Sequence, residues 1–215
     1  MKLKTFILNL PQRQDRRINI EKEFRGKNLY DIEYLCPIRH ECPRISHWLS
    51  LKHCVIKAKM SGYPFFLFCE DDHIFTSAYN ENSLVNLIKE ANALRTDILL
   101  GGISWFLSTL QISDFLFWTE EFNGTQFTII YKRFYDKIIS YAKINETLVT
   151  DFILSKLSDR IITIYPFISI QKEFGYSDIT KSNNVKGYVE SLFENTQNMM
   201  YIQDKVRNYY KRLCQ

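Results

Sequence analysis

Residues 62–75 read GYPFFLFCEDDHIF. This stretch constrains the fold more than any other. Phe65, Phe66, Leu67 and Phe68 form an apolar, aromatic-rich run that fits a buried strand. The run ends at Cys69, and Glu70, Asp71 and Asp72 follow without a break. In open α/β sheets, ligands bind in the crevice at the carboxyl ends of the strands. Hard oxygen ligands delivered there suit Mg²⁺ or Mn²⁺ and, through the ion, phosphates. If strand geometry continues, Glu70 and Asp72 point one way and Asp71 the other. The same triplet also reads as an acidic turn with solvated charges.

The rest of the chain supplies a matching sheet. Residues 4–10 are nearly all apolar and predict a strand buried on both faces. Pro11 stops it, a basic turn (QRQDRR) follows, and 18–24 continue as a helix with Ile18, Ile20 and Phe24 apolar. Helix starts and arginines favour anions, so Arg13, Arg16 and Arg17 suit a phosphate, or else a solvated helix start. Neither a P-loop nor a GxGxxG pattern is present. Strands are predicted at 30–36, 97–103, 127–131 and 161–166. Helices are predicted at 46–60 with Ser46 as N-cap, 83–94 with Ser83 as cap, 133–141, 150–157 and 185–215. Gly101-Gly102 marks close approach of a backbone or a ligand. Segment 104–119 is rich in aromatics without a clear pattern. Alternating strands and helices predict an α/β fold with a mostly parallel central sheet flanked by helices. The simplest division is a domain over 1–184 and a helical appendage over 185–215.

The 215 residues are 46% hydrophobic and 15% aromatic, enough for a sizeable core. A net charge of +4 is too weak for a duplex nucleic-acid binder and suits an anionic small substrate or membrane surface. Five cysteines without a CxxC pair predict reduced thiols in a cytoplasmic protein. No signal peptide or bilayer-spanning run is visible.

Taken together, four segments resemble glycosyltransferase family 25, a GT-A-like family of lipooligosaccharide-type enzymes. They are FILNLPQRQDRR, Ser46-His47, FLFCEDDHIF, and YPFISIQ ending at Gln171 and followed by Ser177-Asp178. The resemblance runs from about Thr5 to about Thr180. The family's Gly-Cys before Ser-His is replaced here, with Cys42 displaced upstream. The resemblance implies transfer of a sugar from a nucleotide-sugar donor, a UDP-sugar, to a bacterial surface glycan such as lipopolysaccharide or capsule, free or lipid-linked. It implies a divalent cation (Mn²⁺ or Mg²⁺) at Glu70 and Asp72. Donor contacts fall to Asn9, Arg13, Arg17, Ser46, His47, Glu70 and Asp71. Asp151 is the implied general base, with Asp178 second. The structural alternative for Asp151 is a helix cap, and for His47 an ordinary helix residue. Gly124, Gln126 and Gln171 are implied on the acceptor side. Two other classes stay open: a metal-dependent phosphodiesterase using the same acids, and a non-catalytic nucleotide- or glycan-binding relative.

The last helix carries four cations and no acid between Lys205 and Arg212, interleaved with Val206, Tyr209 and Tyr210. That mix suits peripheral attachment to the inner membrane surface. A packed helix instead buries Tyr209 and Tyr210 against the domain.

Overall fold

The computed structural model describes residues 2–143, 147, 149–176 and 181–214. The chain opens β1 (Leu3–Leu8), α1 (Gln14–Phe24), β2 (Tyr30–Leu35), α2 (Pro43–Met60), β3 (Phe65–Glu70), β4 (His73–Phe75), α3 (Glu81–Ala93) and β5 (Ile98–Leu100). Short strands follow: β6 (Trp105–Phe106), β7 (Thr109–Gln111), β8 (Leu116–Thr119) and β9 (Phe122–Asn123). Then come β10 (Phe127–Tyr131), α4 (Lys132–Ser140), α5 (Thr150–Leu157), β11 (Ile161–Ile164), β12 (Ser169–Gln171) and the long α6 (Tyr188–Leu213).

Eight strands form one sheet in the order β2-β1-β3-β10-β5-β11-β8-β7. β1 pairs in parallel with β2 and β3, and β5 with β11. β10 and β8 are antiparallel to both of their neighbours. Thus β1, β2, β3, β5, β7 and β11 run one way, and within this sheet β8 and β10 oppose them. This is the expected α/β class, a mostly parallel central sheet with helices on its faces and a helix at the C-terminal end.

The apolar strands are explained by cover on both faces. Ile7, Leu67, Cys69, Leu99 and Ile129 pack with Ile20 and Phe24 of α1 and Leu84, Leu87 and Ile88 of α3. Phe6, Phe66, Phe68, Leu100 and Ile130 pack with residues of α2, α4, α5 and α6, among them Trp48, Phe134, Leu154 and Phe193. Phe66, Leu67 and Phe68 are completely buried. Each such side chain contributes about 1.5–3 kcal/mol, so one strand pins helices on both sides.

Several boundaries differ from expectation. α1 begins at Gln14, not at residue 18, and its buried residues are Arg16, Asn19, Ile20 and Phe24. Ile18 is exposed. α2 begins at Pro43 after Cys42, so Ser46 is not its cap. The Ser46 hydroxyl instead donates to the Ile38 carbonyl at 2.6 Å. α3 is capped by the Asn80 side chain, which accepts from the Ser83 N–H. The glycine pair serves a backbone rather than a ligand: a Cβ at Gly102 would lie 2.1 Å from the Ser169 carbonyl oxygen.

Candidate active site

β1 and β3 lie side by side with Leu8 opposite Glu70, so both deliver their following residues to the same edge of the sheet. β3 ends at Glu70, and Asp71-Asp72 turn away. Strand alternation therefore stops one residue into the acidic triplet. Glu70 faces α2, as Phe66 and Phe68 do, while Asp71 and Asp72 both meet α1. The expected pairing of Glu70 with Asp72 on one side gives way to a shared arginine between Asp71 and Asp72.

That arginine is Arg16. Its Nη1 donates to Asp71 Oδ1 at 3.0 Å and Asp72 Oδ2 at 3.1 Å, and Nη2 donates to the Tyr176 carbonyl at 3.0 Å. The guanidinium lies 4.9 Å from the Phe174 ring centre and 4.8 Å from that of Tyr176. Asn9 Nδ2 donates to Asp71 Oδ2 at 2.8 Å. Burial opposes the charge on Arg16, but Asp72 and Asp71 hold it firmly protonated. One guanidinium faces two carboxylates. Burial raises Asp71 despite its partners, and burial with the neighbouring Glu70 charge pushes Asp72 up to about 8.

On the α2 side, His47 Nδ1 lies 2.7 Å from Thr150 Oγ1, and its Nε2 is 3.5 Å from Glu70 Oε1. Thr125 Oγ1 donates to the same Glu70 oxygen at 2.5 Å. Burial disfavours imidazolium, yet Glu70, Asp151 and Asp72 raise the His47 pKa above its ordinary value. Burial likewise disfavours the Glu70 carboxylate, and His47 outweighs it, lowering Glu70. His47 is thus a built part of the site and not an ordinary helix residue. His53, by contrast, is exposed.

Asp151 sits in the first turn of α5. Its Oδ2 accepts the Gly124 N–H at 3.0 Å, across the chain rather than within its own helix, so it is not a helix cap. Burial pushes Asp151 up to about 6, which keeps a carboxyl poised near neutral pH. Gly124 adopts φ +117°, a conformation that aims its N–H at the carboxylate and that side chains resist.

These groups line one cleft of about 230 Å³, which includes Arg13, Arg16, Ser46, His47, Glu70, Asp71, Asp72, Gly124, Asp151 and Gln171. The structure therefore gathers most of the expected residues. Three depart. Arg17 turns into a neighbouring groove, where it pairs with Glu21 and lies over Tyr34. Gln126 is fully buried, and its amide donates to the Gly102 carbonyl at 2.9 Å, so it braces β10 rather than meeting an acceptor. Asp178 lies outside the described residues. Thr125, Thr150, Phe174 and Tyr176 were not singled out by the sequence. Arg16 was read with Arg13 and Arg17 as suiting a phosphate or a solvated helix start, and the structure instead pairs it with Asp71 and Asp72.

Among the described residues, no group of three His, Cys, Asp or Glu is placed to hold a metal ion. Asp72 Oδ1, however, is buried and has no hydrogen-bond partner. Mg²⁺-type ions are held by one or two carboxylates together with substrate phosphates, without a full protein cage. An orphaned carboxylate oxygen fits such an ion, which Asp72 would hold.

No family model matches the sequence, and no curated protein matches it. Solved structures do align. A UDP-glucose pyrophosphorylase complexed with UDP-glucose covers 92% of this chain and 100% of its own, at 10% identity and a TM-score of 0.48. A glycosyltransferase involved in the glycosylation of the major capsid of PBCV-1 covers 76% of this chain and 81% of its own, at 12% identity and a TM-score of 0.46. HddC from Yersinia pseudotuberculosis complexed with GMP-PN covers 90% and 99%, at 10% identity and a TM-score of 0.44. At this level of likeness the nucleotide and sugar chemistry of those proteins stays theirs, and the site of this chain has to speak for itself.

Proposed function

We propose that this chain is a metal-assisted glycosyltransferase of GT-A-like design. It moves a sugar from a nucleotide-sugar donor, a UDP-sugar, to a bacterial surface glycan such as lipopolysaccharide or capsule, free or lipid-linked, on the cytoplasmic side. One observation carries the reading. A single cleft at the carboxyl edge of the sheet brings the three acids at the end of β3 together with Arg13, Arg16 and the buried carboxyl Asp151. The sequence resemblance to glycosyltransferase family 25 supports it. The transfer chemistry falls within 1–184, with 185–215 as an appendage.

The geometry supports these proposed roles. A divalent cation, Mn²⁺ or Mg²⁺, bound at Asp72 with Glu70 would offset charge on the nucleoside diphosphate leaving group. Asn9 and Arg16 fix the Asp71 carboxylate at the donor side. Arg13, lining the same cleft, suits the diphosphate. His47, whose pKa Glu70 raises despite burial, favours positive charge on that wall. Asp151 accepts the proton of the acceptor hydroxyl, and its raised pKa suits a general base. Asp178 is the second candidate for that step. Gly124 and Gln171 line the acceptor side.

A thermal-shift screen of nucleotide sugars with and without Mn²⁺ tests this, because a ligand that binds only the native state raises its apparent stability. The expected result is a shift with a UDP-sugar that grows with Mn²⁺, together with slow hydrolysis of the same donor. Binding without hydrolysis or transfer would make the chain a non-catalytic relative. No shift with any nucleotide sugar would overturn the proposal.

A further inference from the structure

α6 is 26 residues long, and its two faces have different fates. Val189, Phe193, Thr196 and Met200 are buried against the domain. Further along, the same face is tied to the sheet edge. Gln203 donates to Thr109 Oγ1 and Gln111 to Asp204 Oδ1, both at 2.8 Å, and Asp114 accepts from Arg207 at 2.7 Å and Lys211 at 3.1 Å.

The outer face is left open and is apolar in phase. Met199, Ile202, Val206, Tyr209 and Leu213 recur at intervals of three and four residues, and they are 53%, 61%, 52%, 55% and 64% exposed. Tyr210 adds to the stripe at 61% exposure. A helix buries residues at such spacing along one side, so this side calls for cover that the described residues do not provide.

Charge decides what kind of cover fits. Asp114 already pairs with both Arg207 and Lys211. Lys205 and Arg212 are not ion-paired among the described residues and lie on the outer side, flanking the stripe. No acid lies between Lys205 and Gln215. A second copy of α6 laid along this stripe would bring cation beside cation. An anionic lipid surface supplies the missing charge, takes the aliphatic residues below the headgroups, and accommodates tyrosines at the interface. No helix among the described residues is long and apolar enough to cross a bilayer, so the contact lies in the surface plane.

We propose that the outer face of α6 is a docking surface for an anionic lipid bilayer, with Ile202, Val206, Tyr209 and Leu213 inserted and Lys205 and Arg212 at the phosphates. This goes beyond the transferase reading and does not depend on it. The fixed packing of the helix's inner face would hold the cleft at a constant orientation to the membrane.

The test is flotation of the full chain with phosphatidylglycerol–phosphatidylethanolamine vesicles and with phosphatidylcholine vesicles. Two double variants are compared: Ile202→Asp with Val206→Asp, and Lys205→Glu with Arg212→Glu. All four side chains are solvent-facing, so melting temperatures should match the parent. The parent should float with anionic vesicles and stay behind with neutral ones, and each double variant should lose at least about tenfold in partitioning. Absence of parent binding to anionic vesicles, or variants that bind as well as the parent, would overturn the proposal. So would a concentration-dependent dimer that Ile202→Asp with Val206→Asp dissolves, since a second copy would then be the occupant.

Discussion

Replacing Arg16 with Met is the sharpest perturbation of the site. Methionine keeps an aliphatic stem between Phe174 and Tyr176 but removes the cation from Asp71 and Asp72. Those carboxylates stand 3.0 and 3.1 Å from the guanidinium, and the side chains are 8% exposed for Arg16 and Asp71 and 15% for Asp72. Removing one partner of a buried ion pair leaves an uncompensated charge and costs about 3–5 kcal/mol. A domain of this size shifts its melting point by about 2–4 °C per kcal/mol, so the expected drop at neutral pH is about 6–20 °C. Calorimetry of parent and Arg16→Met gives the number, with Asp72→Asn as the second arm of a double-mutant cycle. The cycle is read above pH 8, where Asp72 of the parent is ionised; there Asp72→Asn removes one of the two stranded charges, so the loss on removing Arg16 should shrink. An Arg16→Met protein that melts within about 2 °C of the parent at neutral pH would refute the argument that this arginine neutralises the acidic edge.

Four further outcomes are expected. Arg13→Ala should weaken UDP binding several-fold by titration calorimetry, whereas Arg17→Ala should leave it unchanged, because Arg17 faces a different groove. Transfer or donor hydrolysis should fall as pH drops through about 6, where Asp151 gains its proton, and Asp151→Asn should abolish that limb of the profile. The sign for stability is opposite. The folded-state pKa of Asp151 is raised, so the folded chain binds the extra proton between about 4 and about 6, and the parent should lose stability relative to Asp151→Asn as pH rises through that window. Gly102→Ala should destabilise by about 1–3 kcal/mol in denaturant melts, since its Cβ meets the Ser169 backbone oxygen and not a flexible side chain.

Much of the sheet was legible because its strands are apolar on both faces. β1, β3 and β10 announce themselves by composition, and the sheet's carboxyl edge follows from the shared direction of β1 and β3. The short strands β6 to β9 were not legible, because two- to four-residue strands carry no period, and 104–119 showed only its aromatics. At the site, the acids, His47 and Asp151 could be read from spacing and family resemblance. What escaped was decided by three-dimensional phase. The turn after Glu70 sends Asp72 to Arg16, and beginning α1 at Gln14 puts Arg16 inward and Arg17 outward. Gln126 was expected at an acceptor, but strand pairing of β10 with β3 and β5 buries it completely. The strap at 172–176 carries Phe174 and Tyr176 onto Arg16 from more than a hundred residues away, a contact no local pattern encodes.

The central claim is that Asp72 completes a cation-assisted binding site for a nucleoside diphosphate. Titration calorimetry of UDP, with and without Mn²⁺, on the parent and on Asp72→Asn tests it most directly. The parent should bind UDP more tightly with Mn²⁺ than without, by about tenfold or more. Asp72→Asn should keep the fold, as judged by circular dichroism, and bind UDP equally weakly in both conditions. A variant that retains the full Mn²⁺-dependent gain, or a parent that binds UDP no better with Mn²⁺ than without, would contradict the claim.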